Sequence, residues 1–465
     1  MMLDNQHLVY PGRSILREWL AQTPPASQDV VVLITGAMED GKIALAGLRE
    51  YLDNCIRVLR DGGLLFVQGR PQYLPELGVY LDQQLRFKYW IAVESKMLRS
   101  GAGLPTVHAG VLLFTKGNDR FNVRRVRFPH RHCTYCGKSL KDWGGKSHLM
   151  NPNGYVISDV WRDLPPADNY RHLSQPVLDT ILRMPDFGSS RTVRGIVAPR
   201  EGVEQVSTIC DLAVQYALPG MTVNVASQSK ATGSSDGFPV NVILQGDALE
   251  VLKQYPDDSI DLAFADPPYN LDKSYNVYED EQTEASYIAW CNAWLAEYAR
   301  VLKPTGSLYV LNLPRWAMYH ATFLSSHLYF QNWIVWDAVS EPRGKIMPAH
   351  YGLLLYTKHP SNFKLRYEAV GKIDARRYCR RATCIRQRKA VGDDTKEPLT
   401  DIWWDIHRIK HRRDRDIHPC QLPEALLERI IRLSTDPGDI VLDAMAGTGT
   451  TLTVAARLNR RFVGI

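Results

Sequence analysis

The chain has 465 residues, 45% of them hydrophobic and 23% charged, with a formal net charge of +6. That length implies roughly two to four domains, and the composition is that of an ordinary globular protein. No apolar run is long enough to span a membrane, and the opening MMLDNQHLVYPGRS lacks the basic-then-apolar pattern of a secretion signal, so a cytoplasmic location and reduced cysteines are expected.

In chain order, VVVLI (residues 30–34) is a short apolar run suited to a buried parallel strand. A helix-length segment follows and ends in RVL and a glycine turn, then comes a second strand, LLFVQG. The same order returns later with DLAFA (261–265) and SLYVLN. Between these stretches the sequence repeats. IRVLRDGGLLFVQGRPQY from Ile56 matches ARVLKPTGSLYVLNLPRW from Ala299, and LRFKYWI matches LYFQNWI, both at an offset of 243. HAGVLLFTK from His108 matches HYGLLLYTK from His350, and SDVWRDL around Asp159 matches TDIWWDI around Asp401, at an offset of 242. Four blocks in register indicate two copies of one unit. Strand–helix–strand order predicts an α/β fold with a doubly wound sheet in each copy.

The copies differ where chemistry is expected. After its first strand, the N-terminal copy has Thr35-Gly36-Ala37-Met38 and the C-terminal copy has Asp266-Pro267-Pro268-Tyr269. From Asp29 to Arg57 is 28 positions, from Asp261 to Arg300 it is 39. One live site and one structural or nucleic-acid-facing half are therefore expected. The Ser/Gly/Thr-rich stretch 221–239 is the expected linker between them.

Near the C-terminus, Leu426, Leu427, Ile430 and Ile431 recur at helical spacing, and Asp436-Pro437-Gly438 stops that helix. Ile440-Val441-Leu442 is a strand, and Ala446-Gly447-Thr448-Gly449-Thr450-Thr451 turns into a further helix. Glycines at such a turn let a ligand approach the backbone and leave helix N–H groups exposed. The third glycine of a dinucleotide fingerprint is missing, since Leu452 follows the threonines.

DPPY, then HPxQxP before a helix, then DxxxGxGTT after a strand resembles the amino-group DNA methyltransferases with permuted motif order, the beta class. The resemblance covers residues 241–465. It implies a Rossmann-like methyltransferase fold using S-adenosylmethionine, here with a degenerate N-terminal duplicate. Asp266, Pro267, Pro268 and Tyr269 correspond to the catalytic motif. Asp443, Gly447, Gly449, Thr450 and Thr451 resemble the methyl-donor loop. His418, Pro419 and Gln421 resemble the segment bordering the donor's methionine end, and Asp247 lies near the donor's adenine. In this family an acidic residue before Pro-Pro accompanies adenine N6, and serine accompanies cytosine N4. Adenine N6 in duplex DNA is therefore the expected target. The alternatives are cytosine N4, RNA, or a catalytically inactive DNA-binding subunit. A restriction or phage-defence partner belongs to the same expectation. Met445 replaces the usual Phe, and Leu422 stands where Lys is common. The printed sequence stops at Ile465, before the family's ribose-gripping acid. Truncation, weaker donor binding, or an acid from elsewhere are the alternatives.

The chemistry suits the residues. A base amino nitrogen has its lone pair delocalised into the ring, so a site that methylates it must accept hydrogen bonds from the amino protons. Asp266 offers a carboxylate and Pro267 a carbonyl. The two prolines stiffen the turn and remove N–H donors, and Tyr269 can stack on a flipped base.

Two features remain. The segment 372–415 carries 14 Lys/Arg, concentrated in 376–389 and 408–415, and is either a solvated loop or a phosphate-contacting one. Cys133-Thr134-Tyr135-Cys136-Gly137 is a zinc-knuckle-like half-site. His130, His132 or His148, or the pair Cys379 and Cys384, can complete it. At the repeat offset Cys136 falls on Cys379, so a structural four-thiolate zinc site joining the halves is expected, with unliganded thiols as the alternative. The expected layout is a degenerate half (1–128), a knuckle and connecting region (129–220), the linker, a catalytic region (240–371), a basic insert (372–417) and a donor-binding region (418–465), the two halves forming an intrachain pseudo-dimer.

Overall fold

The computed structural model describes residues 6–9, 11–37, 45–98, 102–117, 121–140, 148, 150–188, 193–199, 237–270, 282–338, 344–409 and 421–465. Most of the expected linker lies outside them. The first unit runs β1 (Gln6–Val9), α1 (Arg13–Gln22), β2 (Gln28–Ile34), α2 (Leu45–Val58), β3 (Leu59–Gly69), α3 (Leu74–Asp82), β4 (Arg86–Leu98), β5 (Thr106–Thr115), a short pair β6 (Arg127–Phe128) and β7 (Tyr155–Val156), β8 (Val160–Trp161), α4 (Gln175–Arg183) and β9 (Val193–Ala198). The second runs β10 (Val242–Ile243), α5 (Ala248–Leu252), β11 (Ile260–Ala265), α6 (Glu284–Val301), β12 (Leu302–Asn312), α7 (Pro314–Leu324), β13 (Tyr329–Asp337), β14 (His350–Thr357), α8 (Tyr367–Val370), β15 (Ile373–Asp374), α9 (Ala382–Ala390), β16 (Lys396–Glu397), β17 (Ile402–Trp403), α10 (Glu424–Ser434), β18 (Ile440–Asp443), α11 (Thr450–Arg457) and β19 (Arg461–Gly464).

Each unit is a mixed sheet between helices. The strand orders are β1-β9-β2-β3-β5-β4-β8 and β10-β19-β18-β11-β12-β14-β13-β17. The duplication holds at the level of hydrogen-bond register. Leu64 faces Thr115 in the first sheet, and Ser307 faces Thr357 in the second. The bulge between Phe87 and Tyr89 recurs between Phe330 and Asn332, and the pairing of Val93 with Trp161 recurs as Trp336 with Trp403. After Asp29 and Asp261 near their starts, the central strands β2 and β11 are apolar and buried because helices cover both faces of the sheet.

The first unit is larger than its sequence boundary at residue 128. Strands β8 and β9 complete its sheet, with β9 lying parallel between β1 and β2. Part of the expected connecting region is therefore fold. Likewise β17, inside the expected basic insert, is the edge strand of the second sheet.

The units pack through equivalent surfaces. Helix α3 lies against α7, and Gly78 of α3 faces the Met318 sulfur of α7 so closely that a Cβ would clash. The residues leading into β5 and β14 contact the opposite unit. Val107 N–H donates to Asp401 Oδ1 (2.9 Å), and Ala349 N–H donates to Asp159 Oδ1 (2.8 Å). Asn332 Nδ2 donates to Leu104 O, and Tyr89 OH donates to Ile346 O, both at 3.0 Å. Each pair of contacts is one contact repeated at the sequence offset, with the two units exchanging roles.

Candidate active site and cysteine cluster

Strand β11 pairs parallel with β12 on one side and with β18 on the other, Phe264 lying beside Asp443. From β11 the chain crosses through α6 to β12. From β18 it crosses through α11 to β19, in the opposite direction along the sheet. The carboxyl ends of β11 and β18 therefore flank a topological switch point, where open α/β sheets form a ligand crevice. Asp266-Pro267-Pro268-Tyr269 leaves one side of that crevice and Asp443 with its glycine turn leaves the other.

A set of aromatic side chains fixes the first wall. Tyr269 OH donates to Asp266 Oδ1 (2.7 Å), orienting the carboxylate. Tyr287 OH donates to Pro268 O (2.6 Å), and Trp316 Nε1 donates to Tyr269 O (2.9 Å). Behind them Asn312 Nδ2 donates to Tyr287 OH and lies 2.9 Å from His320 Nε2. Burial depresses the His320 pKa to about 3, so this ring is a neutral acceptor. Tyr298 ties the walls together: its hydroxyl donates to Phe264 O (3.1 Å) and accepts from Ala444 N–H (2.9 Å). Asn270 exchanges two hydrogen bonds with the Gln282 backbone, tying the end of the motif to the approach of α6. On the open side, the Tyr351 ring lies 6.0 Å from Tyr269 and 5.3 Å from Trp336.

The second wall fits a cationic, backbone-approaching ligand such as S-adenosylmethionine. Asp443 is fully enclosed, and burial raises its carboxyl pKa to about 6 against a hydrogen bond from Thr451. Gly447 and Gly449 have φ of +51° and +72°, and a Cβ at Gly449 would meet open space. Gly449 caps α11, leaving the first N–H groups of Thr450 and Thr451 at the crevice side of the turn. Asp247 follows β10 and caps α5 by accepting from Leu249 and Glu250 N–H, so one of its carboxylate oxygens serves the helix start. Gln421 is half-buried ahead of α10, while His418 and Pro419 lie outside the described residues.

In the first unit the corresponding turn, Thr35–Ala37, is closed. Gly36 lies so near Tyr170 O that a Cβ would sit 2.1 Å from it. Gln68 Nε2 donates to the same carbonyl (2.6 Å), and Arg70 stacks on the Tyr170 ring at 3.4 Å.

The four cysteines come together as expected from the repeat. Cys136 Sγ is 3.5 Å from Cys379 Sγ, Cys133 Sγ is 3.7 Å from Cys384 Sγ, and all four sulfurs lie within 4.8 Å of one another. His130, His132 and His148 are not in this group; the His130 ring instead contacts Asn151 O. In the basic segment the charges divide. Arg388 is buried on the Tyr378 ring and Arg376 pairs with Glu94, whereas Arg377, Arg380, Arg386 and Lys389 are exposed.

Sequence reasoning did not single out Tyr287, Tyr298, Trp316, Asn312 or His320. The signal was present in the duplication: at the offset of 243, Tyr298, Asn312 and His320 correspond to Cys55, Gly69 and Leu77. Polar groups replace small or apolar ones in the copy that carries DPPY.

The family model for N6/N4 DNA methylases matches residues 37–230 and 260–465. The chain belongs to this DNA methylase family. The type II methyltransferase M.BamHI of Bacillus amyloliquefaciens is 36% identical over 233 residues, 48% of this chain and 53% of that protein. The chain thus spans about half the length of that relative. The DNA adenine methyltransferase YhdJ of Escherichia coli K12 is 34% identical over 235 residues, 49% of this chain and 79% of that protein. Among solved structures, TTHA0409 of Thermus thermophilus, complexed with S-adenosyl-L-methionine, is similar at 25% identity, with a TM-score of 0.33 over 47% of this chain and 84% of that one. No helix among the described residues is long and apolar enough to cross a membrane.

Proposed function

We propose that this chain methylates the N6 amino group of adenine in duplex DNA, through one active site in the second unit. The observation that carries the reading is the meeting of Asp266-Pro267-Pro268-Tyr269 with the Asp443 glycine turn at one switch point. S-adenosylmethionine, when bound, supplies an electrophilic methyl group. Asp443, Gln421, Thr450, Thr451 and the Gly447–Gly449 backbone would hold its methionine end and Asp247 its adenine, while His418 and Pro419, expected beside the methionine end, lie outside the described residues.

The target adenine leaves the duplex and enters beside Tyr269, which stacks on it. Asp266 accepts a hydrogen bond from one N6 proton and the Pro267 carbonyl from the other. Both bonds favour a pyramidal nitrogen whose lone pair is free to attack. Once the nitrogen is methylated it carries one proton too many, and Asp266 is placed to take it up. The aromatic backing of Tyr287 and Trp316 keeps the turn rigid, so that its acceptors need no reorganisation. The acidic residue before Pro-Pro favours adenine over cytosine, and YhdJ, an adenine methyltransferase by name, supports that choice.

The first unit acts as the inactive half of an intrachain pseudo-dimer, its own turn covered by Tyr170. Arg377, Arg380, Arg386 and Lys389 meet DNA phosphates. Mapping methylation at single-base level in a methylation-free host expressing the full chain tests the reading. N6-methyladenine in a fixed sequence context is expected, and unmodified DNA despite soluble protein opposes it.

A further inference from the structure

We infer that Cys133, Cys136, Cys379 and Cys384 bind one zinc ion that clasps the two units and holds the exposed cationic segment in place. A tetrahedral tetrathiolate zinc with bonds of about 2.3 Å spaces its sulfurs about 3.8 Å apart. The two close pairs, at 3.5 and 3.7 Å, lie near that spacing and far from the ~2.05 Å of a disulfide. Two cysteines come from each unit, so the ion bridges segments about 240 residues apart in sequence.

Both sides are built for a metal. In the first unit, Cys133 N–H donates to Lys138 O (2.7 Å) and Gly137 N–H donates to Cys133 O (2.9 Å), forming a knuckle in which Gly137 takes a φ of +68°. A residue with a side chain is strained in that conformation, which explains the glycine of C-x-x-C-G. In the second unit Cys379 precedes α9 and Cys384 lies in its first turn. Thr134 N–H donates to Arg377 O (3.1 Å), and Arg381 Nη1 donates to Ser139 O (2.8 Å), locking knuckle to helix. A small buried cluster around the sulfurs adds Ala375 and Tyr378 but little else apolar. Such a corner has too little core to hold by packing, the circumstance in which small folds use a structural metal.

Four protein ligands leave no open coordination position, so the ion takes no part in methyl transfer. Four thiolates and one Zn²⁺ carry a net charge of −2, and the Arg381 side chain hydrogen-bonds Cys379, while Arg377 and Arg380 stand close to Cys379 in sequence. What the metal orders is therefore the cationic surface of α9 and its approach. Loss of the clasp should weaken duplex DNA binding on the order of tenfold, because several phosphate contacts would lose their fixed placement. Binding of S-adenosylmethionine at β11 and β18 should not change.

The test begins with metal content. Full-length chain purified under reducing conditions should hold one zinc per chain, released as four thiols react with an organomercurial. Cobalt substitution should give the thiolate charge-transfer band and d–d envelope of a tetrahedral tetrathiolate. Cys384→Ser should lose the stoichiometric metal and bind DNA more weakly, whereas Cys55→Ser, buried in the first core, should retain it. A native chain without stoichiometric zinc, one whose four thiols are paired as disulfides, or a Cys384→Ser variant with unchanged metal content would overturn the proposal. The metal count on the native chain decides the matter even where a variant fails to fold, and it is independent of whether adenine is the methylated base.

Discussion

Trp90 and Trp333, 243 residues apart, stack face to face with ring centroids 3.7 Å apart and planes 10° from parallel. They occupy equivalent positions in the two copies. His350 joins them: its Nε2 accepts from Trp333 Nε1 (3.0 Å), and its Nδ1 approaches Trp90 O (3.4 Å). Burial depresses the His350 pKa to about 3, so the ring is neutral and can play both parts. Among the described residues Trp90 Nε1 has no partner. Replacing either tryptophan by alanine should cost about 3–5 kcal/mol. Phenylalanine separates the two positions: Trp333→Phe should be the costlier, by about 1 kcal/mol, because it strands an acceptor. Equal losses in urea denaturation would contradict the hydrogen-bonded role of His350.

The same interface should carry a pH signature. Asp159 is enclosed, and burial, with Asp337 nearby, raises its pKa to about 8 against hydrogen bonds from Ala349 and His350 N–H. The folded chain therefore binds a proton there that the unfolded chain, with an ordinary carboxyl pKa, has already lost. Stability from this group falls as pH rises from about 4 and stops falling above about 8. Between pH 6 and 9 the native chain should lose roughly 3 kcal/mol that Asp159→Asn does not lose. Asparagine keeps the Oδ1 acceptor, so parallel stability profiles for the two proteins would refute the assignment.

Asp443 should show stability and function in opposition. Its folded pKa is raised to about 6, so ionisation at neutral pH destabilises the empty chain. Asp443→Asn should raise stability by about 1–3 kcal/mol at pH 7.5, while Met445 N–H keeps an acceptor. The same change should weaken S-adenosylmethionine binding, and native binding should decline as pH falls below about 6. Calorimetric titration measures both. Undiminished affinity in the variant would remove Asp443 from the donor site.

Tyr298 tests the coupling of the two walls. Tyr298→Phe leaves Ala444 N–H buried without its acceptor, at a cost of about 1–3 kcal/mol. The spacing of the β11 and β18 ends should loosen, lowering kcat more than it raises KM for DNA. A variant with reduced thermal stability and unchanged kcat would make Tyr298 a core residue only.

Much of this arrangement was legible in the sequence, for identifiable reasons. The strands beginning at Val30 and Asp261 were visible because buried parallel strands are continuous apolar runs. The cysteine cluster was visible because the repeat offset aligns Cys136 with Cys379. The end of the first unit was not, since β8 is only two residues long and β9 joins its sheet far from its neighbours in sequence. The aromatic backing of the DPPY turn was hidden for a different reason. Tyr287, Tyr298 and Trp316 sit on helices at positions that pattern alone assigns to core, and only their hydroxyl and indole hydrogen bonds distinguish them.

The reaction itself is tested most directly by incubating duplex DNA and methyl-labelled S-adenosylmethionine with the native chain and with Asp266→Ala, then separating the hydrolysed nucleosides. Native protein should yield labelled N6-methyladenine. Asp266→Ala should bind the donor and yield label at least about 10²-fold more slowly. Label in N4-methylcytosine alone, or undiminished transfer by the variant, would contradict the assignment of Asp266-Pro267-Pro268-Tyr269 to adenine methylation.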